Sequence, residues 1–193
     1  RKIVTVSDGQ EMYFAHDAKS FADDFQKPFS ATMINVDKDQ ENANILLKQK
    51  LNESVFLLAY FGHGSIDSWG KDKIVTISDI DSFTNQMTIP IILNLTCLTG
   101  YYIDPNKESL TEALLFSKGM GAAVVLAPTS LTSAVNQAEL RKQLAVSIQS
   151  PKNKYFGNVL MYTWSKMNSE YEPVLEVMQT FGLFGDPAMI LFP

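Results

Sequence analysis

A single cysteine, Cys97, is too little for an intrachain disulfide or an all-cysteine metal site, so the chemistry of one thiol becomes the question the sequence poses. Histidine is scarce as well, with only His16 and His63. No Lys/Arg cluster offsets the formal net charge of -5, which argues against nucleic acid or an anionic membrane surface as the main partner. No apolar run approaches the ~18 residues that cross a bilayer, and the amino terminus lacks a basic-then-apolar layout, so membrane insertion is not expected. Internal repeats and low-complexity segments are absent too. The rest is ordinary globular material, 46% hydrophobic and 19% charged over 193 residues, and one domain spanning residues 1–193 is expected.

The sequence is organised around residues 54–69. Residues 55–61 form an unbroken apolar run, the pattern of a central parallel strand covered on both faces, and it stops abruptly at Gly62-His63-Gly64. The glycines are expected to supply backbone geometries that other residues resist. His63 is thereby placed at the rim where strands end, which in open parallel sheets is where ligands bind. Residues 90–96 repeat the pattern and deliver Cys97 to their own end.

Around these two strands the sequence predicts a strand over 2–7 closing on Asp8-Gly9, a helix over 15–25, a strand over 30–36 and a helix over 43–51. A short helix over 77–83 follows, then a helix over 109–118 with a Ser109/Glu112 capping box, ended by Gly119 and Gly121. A strand over 122–127, helices over 136–148 and 157–167, and a tail read as a turn followed by a last strand complete the chain. Strands alternating with helices, and apolar throughout, imply a mainly parallel sheet with helices on both faces.

An imidazole and a thiol at the ends of neighbouring strands stand one or two interstrand spacings of ~4.8 Å apart, room for a scissile carbonyl between them. The imidazole can generate the thiolate and later protonate the leaving amine. The main-chain N–H groups of Gly64 and Cys97 can hold the developing oxyanion. Asp8 follows a strand end and reads equally well as a turn residue. Trp69 is a candidate to line the substrate cleft or to pack over the His63 loop. Thr129, just past the strand over 122–127, is a further substrate-side candidate.

Tyr60-Phe61-Gly62-His63-Gly64-Ser65 with Trp69-Gly70, Leu93-Asn94-Leu95-Thr96-Cys97 with Thr99-Gly100, and Phe184-Gly185-Asp186-Pro187 together resemble the gingipain family, the C25 cysteine peptidases of the caspase-like clan. The resemblance runs from the first strand to the last. It implies a caspase/haemoglobinase-like three-layer fold, a catalytic dyad of His63 and Cys97, and hydrolysis of a polypeptide substrate through an acyl-enzyme without metal or organic cofactor. It further implies Asp8 as the acid that orients the histidine, and a secreted or cell-surface setting.

Asp17, near the expected start of the first helix, matches the acid that gives gingipains a basic P1 preference; as a helix-start charge it would instead favour the helix dipole. The tryptophan that walls this pocket in arginine-directed members has no counterpart at residues 131–134. The gingipains' amino-terminal subdomain is also missing from the chain, so that subdomain or other domains of a longer precursor are expected partners. Two alternatives stay open: a catalytically silent module of a larger surface or secretion protein, and a CHAT-type caspase-like protease.

Overall fold

In the computed structural model, which describes residues 1–36, 42–84, 88–118 and 121–192, a six-stranded sheet runs through the molecule in the order β2-β1-β3-β6-β7-β8. Its strands are β1 (Lys2–Ser7), β2 (Ser30–Asn35), β3 (Val55–Phe61), β6 (Ile91–Leu95), β7 (Val124–Pro128) and β8 (Phe181–Gly185). The first five are mutually parallel and β8 runs antiparallel to β7. A two-stranded hairpin, β4 (Ser68–Trp69) and β5 (Val75–Thr76), stands apart from it.

Alternation along each strand sorts the side chains into two cores. Ile3, Leu57, Ala59, Phe61, Leu93 and Leu95 face α1 (Met12–Asp23), α5 (Gln137–Gln149), α6 (Phe156–Lys166) and α7 (Glu172–Thr180). Val4, Val6, Leu58, Tyr60 and Ile92 face the other way, onto α2 (Ala43–Leu51), α3 (Ile77–Ile80), α4 (Leu110–Phe116) and Trp69 of the hairpin. The expected three layers therefore form, with β3 and β6 side by side at the centre.

Several boundaries depart from expectation. α1 begins at Met12, three residues before the expected start, after an extended Glu11 that makes no side-chain cap. Asp17 consequently sits in the second turn rather than the first. Ser109 and Glu112 do close a capping box on α4, while Gly119, expected to help end that helix, lies outside the described residues.

The tail inverts the expected order. The strand comes first, as Phe181–Gly185 against β7, and Asp186-Pro187 then turns the chain away. Gly185 takes φ 111°, a conformation open to glycine, and the Asp186 carboxylate accepts the N–H of Ala188 at 2.8 Å. α7 was not foreseen, although Pro173 in its first turn and the buried Val174 and Val177 carry a helical signature.

Candidate active site

Phe61 of β3 lies opposite Leu95 of β6 in the parallel register, and His63 and Cys97 each follow two residues later. The imidazole and the thiol thus leave the sheet at the same level on adjacent strands, one interstrand spacing of ~4.8 Å apart at the backbone. Both residues are half-buried. Alternation sends them to the side of the sheet that α1 covers, where the Phe14 ring meets the His63 ring edge-on at 5.2 Å.

The loop carrying His63 is held at three points. Asp8 is buried at the end of β1, and its carboxylate accepts the main-chain N–H of His63 at 3.1 Å and that of Gln10 at 3.0 Å. The acid thus fixes the histidine through its backbone, not through the ring. Tyr60 donates its phenol to the His63 carbonyl at 2.7 Å. Burial, reinforced by the Asp8 carboxylate and only partly offset by a hydrogen bond involving the Gly70 backbone, pushes that phenol well above its ordinary range, so it stays a neutral donor. Gly70 donates to the same carbonyl at 2.8 Å.

Trp69 supports this loop from within. It is 1% exposed and stacks on Tyr60 at 4.6 Å and 3°. A side chain this buried offers no surface to a substrate, which corrects the cleft-lining expectation; its contribution is to seat Tyr60.

The glycines are required by close approach and not by unusual torsion, since neither Gly62 nor Gly64 has a positive φ. A Cβ on Gly64 would stand 2.7 Å from the Cys97 carbonyl oxygen and closer still to Thr96 Oγ1. The His63 loop can lie against the Cys97 loop only because position 64 has no side chain.

Cys97 is presented by a tight turn. Leu98 adopts φ 61°, which costs a residue with a Cβ about 1–2 kcal/mol. It is pinned there by Thr99 N–H on the Cys97 carbonyl at 2.7 Å and by its own N–H on Ser130 at 3.1 Å. Backbone strain of this kind is held in place where a side chain must be aimed. The thiol donates to the Thr132 carbonyl at 3.2 Å, and His63 Nε2 is buried without a hydrogen-bond partner among the described residues.

Thr129 is placed differently from expectation. Its hydroxyl and its N–H both donate to the Thr180 carbonyl at 2.9 Å, while Ser130 and Thr132 of the same loop bond to the Cys97 turn. Asp17 lies on the α1 side beneath the dyad, with its carboxylate 3.7 Å from Nε of Arg141 on α5. His16 beside it is exposed and reaches the same carboxylate at 3.4 Å.

On the other side of the dyad an open cleft of about 490 Å³ is lined by Ser65, Ile66, Ile77 and Leu98, with Asp67, Lys107 and Glu108. Tyr13 is exposed, with its ring 4.4 Å from that of Phe14, and its phenol is raised first by burial and then by Glu11, Asp8, Cys97 and Asp17. The sequence reading missed Tyr13, Phe14, Thr132 and Arg141. Phe14 alone had a signal, because it continues the spacing of Ala18 and Phe21 once α1 is extended backwards. Among the described residues no group of three or more His, Cys, Asp or Glu is placed to hold a metal ion.

The profile of peptidase family C25 matches residues 1–192. Gingipain R2 of Porphyromonas gingivalis is 27% identical over 148 residues, covering 72% of this chain and 20% of that protein. Gingipain R1 of the same organism is 27% identical over 148 residues, with 15% of its length covered. The chain therefore spans a fifth or less of these relatives.

Among solved structures, the arginine-specific cysteine proteinase gingipain R superposes with a TM-score of 0.72 at 20% identity, over 98% of this chain and 47% of that one. Caspase-1 from Spodoptera frugiperda superposes with a TM-score of 0.53 at 11% identity, over 95% of this chain and 87% of that one. The caspase-like three-layer sandwich expected from the sequence is the fold of this chain.

Proposed function

From the premise that the chain belongs to peptidase family C25, we propose that it is the catalytic part of a cysteine endopeptidase, with Cys97 as nucleophile and His63 as general acid and base. The observation that carries this reading is the register: Phe61 opposite Leu95 brings the two residues that follow by two to one rim. A peptide laid across the strand ends presents its carbonyl to the Cys97 thiolate, which His63 generates. The oxyanion that forms falls to the N–H groups of Gly64 and Cys97. His63 then protonates the leaving amine, and water hydrolyses the acyl-thioester. Asp8 acts on this sequence by holding the His63 backbone.

The open cleft along Ile66, Ile77 and Leu98 gives the flanking peptide an apolar seat. A basic P1 preference, the expectation attached to Asp17, needs that carboxylate free, and Arg141 stands on it. A polypeptide substrate, neighbouring domains of a longer precursor and a secreted or surface setting go with the family reading. Among the described residues no helix is long and apolar enough to cross a membrane.

A second reading, a silent module of a larger protein, is favoured by one observation: the thiol is engaged by Thr132 rather than by His63. Labelling with peptidyl acyloxymethyl ketones bearing Arg, Lys, Asp, Leu or Ala at P1, read by intact mass, separates the two. Labelling at Cys97 that is lost in His63→Ala is the expected result. No labelling by any probe, with the fold intact by circular dichroism, would point instead to the silent module or to a catalytic part that works only with its neighbouring subdomain.

A further inference from the structure

Directly beneath the dyad lies a pocket that is closed. Phe61 and Leu95 stand two residues below His63 and Cys97 on the same face of the sheet, roughly 6.6 Å down the strands. With Phe14, Ala134 and Gln137 they wall a cavity of only about 10 Å³, and its charged members are Asp17 and Arg141. That volume is about one water probe. The side chain of a residue held for cleavage between His63 and Cys97 and directed at this face would point into it.

Arg141 fills the space that a cationic side chain would need. Its Nε lies 3.7 Å from Asp17 Oδ1 and its Nη1 3.3 Å from Asp24 Oδ2, so one guanidinium is shared by a carboxylate of α1 and one just past its end. Its side chain is 14% exposed and that of Asp17 20% exposed, so the pair is sheltered from solvent screening. Nε is buried yet makes no hydrogen bond, since 3.7 Å is a charge contact and nothing more. The arginine is therefore held by the Nη1 hydrogen bond to Asp24, by charge towards Asp17 and by the packing of its stem, and a second cation arriving at Asp17 would meet it at short range.

We infer that Arg141 is a specificity-determining residue: it occupies the cation seat on Asp17 and closes the pocket beneath the dyad, so that the residue cleaved is small and uncharged instead of basic. The inference rests on the proposed peptidase reading for its meaning in catalysis, but the occupancy of the pocket does not. A staple between α1 and α5 would show the same contacts, and the two are separated by asking whether removal of the guanidinium opens a site.

The test uses propylguanidine, the end of an arginine side chain, titrated into the intact chain and followed by NMR chemical shifts. Arg141→Met keeps the stem and removes the charge, and Arg141→Gln is read the same way if the methionine variant does not fold. Saturable binding at least tenfold tighter than to the wild type, and lost again when Asp17→Asn is added, is the expected result. Wild-type chain that binds the probe as tightly as the variant, variants that bind no tighter, or binding indifferent to Asp17→Asn would each overturn the inference.

The same proteins are then exposed to the ketone series. Wild type should react fastest with P1 Ala, and Arg141→Met should raise the Arg-to-Ala rate ratio at least tenfold. Fastest wild-type labelling by P1 Arg or Lys overturns the inference while supporting the peptidase. Absence of all labelling beside Asp17-dependent guanidine binding in the variants removes the peptidase reading and leaves the closed pocket standing.

Discussion

A methyl group at position 64 has no room, because the Cys97 carbonyl and the Thr96 side chain already stand against the Gly64 Cα. Gly64→Ala must push the His63 loop away from the Cys97 turn, and the two N–H groups proposed for the oxyanion separate with it. We expect a stability loss of about 1–3 kcal/mol, the usual cost of overpacking, and a fall of at least tenfold in the rate of ketone labelling at Cys97. Urea unfolding and mass-detected labelling measure the two; an alanine variant that labels at the wild-type rate would remove Gly64 from the site.

The need for glycine here was legible in the sequence, but its reason was not. Torsion was the expectation and contact with a neighbouring strand is the cause, since close approach depends on which strands become neighbours. Asp8 and Trp69 teach the same lesson at residue scale. Both were recognised as belonging near His63, yet the carboxylate binds main chain and the indole is buried under Tyr60.

At the scale of elements, α3 is the shortest helix among the described residues and depends on its cap. Thr76 and Asp79 close a capping box, with the Asp79 carboxylate accepting from the Thr76 N–H and hydroxyl at 2.9 Å each and pairing with Lys48 at 3.3 Å. Burial alone would raise this aspartate, but the bonds from Thr76 and Lys48 outweigh it and leave its pKa lowered. A folded value below the unfolded one stabilises the fold fully above about pH 4 and ceases to do so as pH falls through the folded value. Asp79→Ala should therefore cost about 1 kcal/mol at pH 7, as lost caps do, and less at pH 3. Urea denaturation at the two pH values checks this, and a cost that grows towards acid would contradict it.

Elements with a strong local signal were readable from the chain. The apolar runs of β3 and β6 and the Ser109/Glu112 cap of α4 are written in consecutive residues. The start of α1 was not, because Glu11 makes no cap and the boundary is set by Phe14 packing beneath His63. The order of the tail was misjudged for a similar reason: residues 181–185 become a strand by pairing with β7, a partner their own sequence does not name.

At the scale of the whole molecule, one sheet carries both cores, so neither helix layer has an independent foundation. We propose that residues 1–193 form a single domain, and expect one cooperative unfolding transition in urea with near- and far-ultraviolet circular dichroism superimposing. Two separated transitions would divide the chain. The same architecture explains the site: strands from distant parts of the chain end together, and their register decides which side chains meet.

The amino-acid sequence by itself determined the alternation of strands and helices, the placement of His63 and Cys97 at strand ends, and the likeness to the C25 peptidases, because each of these is encoded in runs of neighbouring residues. Only the tertiary structure decided that β3 and β6 are adjacent, that Asp8 grips a backbone, and that Arg141 of α5 seats itself on Asp17 of α1. Contacts of that kind join residues remote in the chain, and they come into being only when the sheet has ordered its strands and the helices have packed upon it.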